Sequence, residues 1–149
     1  RLANIRKEMR QTMGDGCGIY RMQDTMQQTC DKLAELRERF KNIELDDKSS
    51  VWNTDWLAAI ELDYQLDVAQ SIAHSAIQRK ESRGAHQRLD GYEQRDDVNF
   101  LKHSDAFYVP GSAPRIAYAE VKITKSPPAA RVYGAAGEKA DQERNASHV

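Results

Sequence analysis

The chain has 149 residues, 22 Lys and Arg against 23 Asp and Glu, a formal charge of −1 and 40% hydrophobic residues. That is one domain's worth of sequence with one modest core. So even a charge balance excludes the concentrated basic surface that nucleic acid or an anionic membrane requires, and no apolar run approaches the roughly 20 residues that span a bilayer.

Apolar spacing in the first half is helical. Leu2, Ile5, Met9 and Met13 make one stripe in steps of three and four. Gly14, Gly16 and Gly18 are expected to end this helix, because glycine disfavours it and permits positive φ. Arg1 in place of an initiating Met, with a charged amphipathic segment directly after it and no signal-peptide pattern, reads as a piece cut from a longer protein. A second stripe runs through Met22, Met26, Cys30, Leu33, Leu36 (or Arg37) and Phe40, with Asp24 at the positive end of the helix dipole. After the polar run Asp46–Ser50, Asn53 or Thr54 can cap a third and longer helix. Residues along it are Trp56, Leu57, Ile60, Tyr64, Val68, Ile72, Ala76 and Ile77, read as its inner stripe, while the small Ala69, Ala73 and Ala76 would let a neighbouring helix approach closely, and Gly84 is the expected stop. Three such helices on short loops pack most economically as an antiparallel, up-down-up, spectrin-repeat-like bundle over residues 1–86.

The second half differs. Residues 87–126 open with dense charge and few apolar anchors. Residues 106–109 and 116–123 then read as strands around the turn Pro110-Gly111-Ser112-Ala113-Pro114, so a β-hairpin appendage is expected. Residues 127–149, from Pro127-Pro128 onward, carry only Val132, Tyr133 and Val149 as large apolar side chains, too few to offset the entropy of ordering. An extended or disordered tail is the expectation.

Chemistry-bearing residues are sparse. Cys17 and Cys30 cannot form a disulfide framework and lack metal-site spacing, and His74, His86, His103 and His148 are scattered. The glycines of Gly14-Asp15-Gly16-Cys17-Gly18 follow a helix rather than a strand, the wrong context for a dinucleotide loop. Two clusters stand out. Around Gly84, residues 80–90 place Glu81, Arg83, His86, Arg88 and Asp90, which could hold an anion or orient a flavin or carboxylate substrate through guanidinium forks. The plainer reading has Arg83 and His86 capping last-turn carbonyls and pairing with nearby acids. The second cluster is Arg95-Asp96-Asp97. Its paired carboxylates could ligate a metal, but Asp97 as a helix cap, or both acids paired with Arg95, is the simpler reading. Trp52 and Trp56, one helical turn apart, read as bundle core or as an inter-domain contact.

Four segments in order, Gly16-Cys17-Gly18-Ile19-Tyr20-Arg21, residues 80–90 (KESRGAHQRLD), residues 95–103 (RDDVNFLKH) and residues 127–134 (PPAARVYG), closely resemble the C-terminal region of the flavoprotein subunit of fumarate reductase and succinate dehydrogenase. The SRGAH and RDD segments so spaced are the specific signal, and the PPAARVYG ending with its Gly/Ala/charged extension favours the fumarate reductase branch. Departures are small: Gly91-Tyr92 stands where relatives often have a shorter or proline-bearing link, and Phe100 replaces a frequent tryptophan. The resemblance implies a parent enzyme that interconverts fumarate and succinate with FAD. It would pass electrons to an iron–sulfur subunit on the cytoplasmic side of the inner membrane. It also implies that the covalent flavin histidine, the dinucleotide loop, the substrate-binding histidines and the catalytic arginine lie in preceding flavin and capping domains. No catalytic, cofactor or metal residue is therefore expected in this chain. Arg83, His86, Arg88, Asp90, Arg95, Asp96 and Asp97 are expected to dock it against those domains. The alternative is a self-standing helical interaction module, motivated by the three amphipathic stripes.

Overall fold

The structure, a computed structural model, describes residues 1–129. Residues 130–149, which carry most of the expected tail, lie outside the described residues. Helices α1 (Leu2–Gly16), α2 (Gln23–Phe40) and α3 (Thr54–Gln78) form the expected up-down-up bundle, with α2 packed against both others. Between α1 and α2 lies the short strand β1 (Tyr20–Arg21); after α3 come β2 (Gln87–Arg88), the single helical turn α4 (Asp97–Phe100), and the strands β3 (Lys102–Phe107) and β4 (Arg115–Glu120).

The core is built from Ile5 and Met9 of α1, Met26, Cys30, Leu33 and Leu36 of α2, and Leu62, Leu66, Ala69, Ala73, Ala76 and Ile77 of α3. The stripes of α1 and α2 are those read from the sequence, except that Met22 precedes α2 as its N-cap and is exposed. Helix α1 differs at its end: it runs through Gly14 to Gly16 instead of stopping at the first glycine. Its last turn crosses α2 so closely that a Cβ on Gly16 would meet Thr29 Oγ1 at 1.8 Å and the Thr25 carbonyl oxygen at 2.8 Å. Gly16 is there for the crossing, not for the stop.

Helix α3 corrects the sequence reading more deeply. Asn53 is the cap, its side-chain oxygen accepting from the Trp56 N–H at 2.7 Å. The buried face, however, is the one carrying Ala59, Leu62, Leu66, Ala69, Ala73 and Ala76, while Trp56, Leu57, Tyr64, Val68 and Ile72 are exposed. Trp52 is exposed as well, so neither tryptophan belongs to the bundle core. The helix is apolar on two sides, and periodicity alone gives no choice between two apolar stripes. Small alanines win the inner side because they let α3 approach α2 and α1 closely. The helix also ends at Gln78, well before Gly84, which instead occupies a left-handed φ of 60° in a tight turn between Arg83 and His86.

The hairpin pairs β3 with β4 antiparallel, from Lys102 opposite Glu120 to Phe107 opposite Arg115. Strand β3 starts four residues earlier than the apolar pattern suggests, inside the charged segment. A second pairing was not foreseen: β1 and β2 run parallel, Tyr20 beside Gln87 and Arg21 beside Arg88. This pairing ties the α1–α2 corner to the segment after α3 and so assembles the charged cluster described next.

Candidate functional site

The end of α3, the turn around Gly84, the α1–α2 corner and the start of the hairpin converge on a network of charged groups. Glu81 lies at its centre with its side chain wholly excluded from solvent. It accepts hydrogen bonds from Arg79, from Arg83 Nε at 2.9 Å and from the Asp96 backbone N–H at 2.8 Å. Burial pushes this carboxyl up, yet the bonds from Arg83, the Asp96 amide and Arg79 outweigh burial and hold it below the ordinary glutamate value. Buried carboxylates survive as ions only with such partners.

Arg79 links the helix end to the hairpin. Its Nη1 donates to the Phe100 carbonyl at 2.9 Å and its Nη2 to the Lys102 carbonyl at 2.6 Å, while the guanidinium lies over the Phe100 ring at 5.6 Å. Arg83 bridges Glu81 to Asp97 at 2.6 Å, and Asp97 also pairs with Arg95 at 2.8 Å. Asp96, not Asp97, caps α4, accepting from the N–H groups of Val98 and Asn99. Both acids ionise below the usual aspartate value, Asp96 through its bonds from Asn99 and Asp97 through its bond from Arg83.

The second half of the cluster centres on Arg88, also wholly buried. Its Nε and Nη2 grip both oxygens of Asp90, at 2.8 and 2.6 Å, in the bidentate geometry that suits guanidinium and carboxylate. Its Nη1 donates to the carbonyls of Ile77 and Arg79, capping the last turn of α3. Asp90 in turn accepts from the Gln23 N–H, at the first residue of α2.

His86 is sandwiched between Arg21 and the end of α3. Arg21 Nη1 lies 2.9 Å from Nδ1, and the Arg79 carbonyl lies 3.0 Å from Nε2. A guanidinium only donates and a carbonyl only accepts, so the ring is neutral with its proton on Nε2. Burial lowers the His86 pKa, the bond to the Arg79 carbonyl opposes this, and the charges of Arg21, Arg88 and Arg79 lower it further.

The structure therefore brings together all seven residues singled out from the sequence and gives each a partner inside the chain. It puts Glu81, the other carboxylate of the residue 80–90 segment, at the centre, and it adds Arg21 and Arg79. Arg21 lies in the GIYR segment and Arg79 directly before the KES segment, but nothing local shows that residues 21 and 86 meet. Chemically, Glu81, Asp90 and Asp97 are each neutralised by guanidinium groups, and Asp96 is held by amide N–H groups. Burial raises the thiol pKa of Cys17, and raises that of Cys30 to about 11, which disfavours the reactive thiolate. Among the described residues no three His, Cys, Asp or Glu side chains gather in a metal-holding group. A groove of about 740 Å³ between α2, α3 and the hairpin tip is lined by Phe40, Ile43, Tyr108, Val109 and Pro114, with Arg37 paired to Asp63 and Asp67 beside it.

Comparison with known proteins gives the arrangement a context. The family described as fumarate reductase flavoprotein C-term matches residues 6–133. A fumarate reductase flavoprotein subunit from a Serratia strain is 64% identical over 95% of the chain, and a succinate dehydrogenase flavoprotein subunit from Rickettsia felis is 37% identical over 89%. A solved structure described as Escherichia coli quinol fumarate reductase FrdA with an E245Q mutation superimposes with a TM-score of 0.86 at 59% identity, over 89% of this chain. The chain spans only about a quarter of these proteins: 24% of the Serratia subunit, 23% of the Rickettsia one and 23% of the solved chain.

Proposed function

Because the chain belongs to the fumarate reductase flavoprotein C-terminal family, we propose that it works as the C-terminal scaffold domain of a flavoprotein subunit that interconverts fumarate and succinate. The observation that carries this reading is the match over residues 6–133, which includes the two charged segments whose side chains here form a closed ion network. FAD and the hydride-transfer machinery belong to the preceding part of the subunit. The parent sits on the cytoplasmic side of the inner membrane and passes electrons to an iron–sulfur subunit. No helix of this chain, among the described residues, is long and apolar enough to cross a membrane.

The charged network's part in this is positional. His86, Arg88 and Asp90 hold the end of α3 against the α1–α2 corner, and Arg83, Arg95, Asp96 and Asp97 hold α4 against the same end. The domain then presents one fixed shape to the flavin and capping domains. Arg83, Arg95 and Asp97 keep part of their side chains at the surface, with 27%, 29% and 38% exposure, and are the members that reach those domains.

The test replaces the matching quarter of the Serratia subunit with this chain. Fumarate reduction restored well above the truncated subunit is the expected result. The chain alone, mixed with FAD and fumarate, should bind no flavin and turn nothing over. A yellow, active preparation of the isolated chain would overturn the scaffold reading.

A further inference from the structure

Two clamps of different chemistry fasten β1 to β2. At one end Asp90 accepts from the Gln23 N–H at 2.7 Å, while the wholly buried Arg88 grips both of its oxygens. The bond from Arg88 holds the Asp90 carboxyl below the ordinary aspartate value, so this clamp stays ionised through the mildly acidic range. At the other end Arg21 Nη1 donates to His86 Nδ1 at 2.9 Å, and His86 Nε2 donates to the Arg79 carbonyl at 3.0 Å. Between the clamps run amide bonds that join the strands, among them Gln87 N–H to the Ile19 carbonyl at 3.2 Å and Leu89 N–H to the Arg21 carbonyl at 3.0 Å.

We infer that His86 is a pH-operated latch: taking up a proton releases Arg21 and parts the His86 end of the β1–β2 pairing, while the Asp90 end holds. Stereochemistry requires the first step. A neutral ring accepts from Arg21 through Nδ1, but a protonated ring carries hydrogen on both nitrogens and has no lone pair to offer. Two charged donors then face each other across 2.9 Å. The guanidinium groups around the ring, Arg21 on β1, Arg79 after α3 and Arg88 on β2, are all of one sign. Arg83, across the turn, points to Glu81 and Asp97, and Cys17 at the end of α1 faces Arg21 with a neutral thiol. The acids of the cluster are engaged elsewhere, Glu81 by Arg79 and Arg83, and Asp90 by Arg88. Arg21 is the member that moves. Arg79 and Arg88 are each fixed by a carboxylate and by backbone carbonyls, whereas Arg21 otherwise holds only the carbonyls of Gly18 and Cys17 on its own corner. The ring is half-buried, so a proton reaches it from solvent with the bundle intact. In the latched state it takes up that proton below its ordinary value of 6.5, and each pH unit between the two values favours the released form by up to about tenfold. The latch needs only contacts inside the chain and is independent of the scaffold role.

Hydrogen exchange is measured on the full-length chimera in which this chain completes the Serratia subunit, at pH 7.5 and pH 5.5, with exchange times scaled to the intrinsic amide rate. The expected result is protection at the Gln87 and Leu89 amides roughly five- to tenfold lower at pH 5.5, with amides of α2 around Leu33 unchanged within twofold. His86→Gln, which accepts and donates like the neutral ring, should keep both amides at one level of protection across the range. Arg21→Gln, which removes the opposing charge and can accept from the protonated ring, should shrink the fall to below threefold. A change of less than twofold in the parent overturns the inference without any variant. So does an equal fall at α2, which reports loosening of the whole bundle, or an undiminished fall in either variant. Fumarate reduction measured in parallel separates the two readings. An active chimera with pH-independent amides removes the latch alone, and an inactive one with the expected fall removes the scaffold reading alone.

Discussion

Helix α3 ends in one kind of surface and is flanked along its length by another. At its C-terminal end, charged groups are buried and every one of the central carboxylates has a guanidinium partner inside the chain. Along its outer side, large apolar groups stand exposed among the described residues. Burial and charge are therefore distributed against the usual pattern around this helix. The charged end is closed by partners inside the chain, and the apolar side has none among the described residues. The outer face of α2 gives the control, since Gln27, Asp31, Glu35 and Glu38 make it an ordinary solvated surface.

The largest effect is expected at the buried end. Glu81→Gln leaves Arg79 and Arg83 facing each other without their shared carboxylate, and should cost about 3 to 5 kcal/mol, as breaking a buried ion pair does. Urea unfolding of the chain at pH 7 measures it; a loss below 1 kcal/mol would show that water reaches this cluster. The two sides of α3 can then be set against each other. Leu66→Ala, on the inner face, should cost about 2 to 4 kcal/mol through the cavity it leaves. Tyr64→Ala, two residues away on the outer face, should change the stability of the isolated chain by less than about 0.5 kcal/mol. Equal losses at both positions would break the comparison.

The histidine adds a pH dependence of defined sign. His86 titrates below its ordinary value of 6.5 in the folded chain, so the unfolded chain takes up the proton first. Its contribution to stability is complete above pH 6.5 and is lost as the pH falls from there through the lower folded-state value. His74, lowered by burial against the opposing pull of Asp31, adds in the same direction. His86→Gln can still accept from Arg21 and donate to the Arg79 carbonyl without titrating. Its melting temperature should fall less steeply than the parent's between pH 7 and pH 5, and an unchanged slope would assign the dependence to other groups. A small effect of the opposite sign is expected at Trp52→Gly. Releasing the left-handed backbone should raise the stability of the isolated chain by at most about 1 kcal/mol. A lower melting temperature than the parent's would show that contacts of Trp52 outweigh its backbone strain.

Much of this architecture is legible in the residues themselves. The stripes of α1 and α2, the Asn53 cap and the hairpin around Pro110–Pro114 are local patterns, set by a helical or two-residue period and by turn chemistry. The charged segments around Gly84 and Asp96 are legible as clusters too. Their partners are not, because Arg21 lies 65 positions from His86 and Gln23 lies 67 positions from Asp90.

By itself, the sequence determined the number of helices, their order and the family whose motifs they carry, since these depend on spacing along the chain. Only the tertiary structure decided which of the two apolar sides of α3 faces inward, because both have helical period and the choice turns on how closely neighbouring helices can approach. Alanines allow that approach, and Trp56, Tyr64 and Val68 do not, so the larger side chains face outward. The same long-range packing closed the ion network, through a parallel pairing of two residues at each end that no local pattern announces.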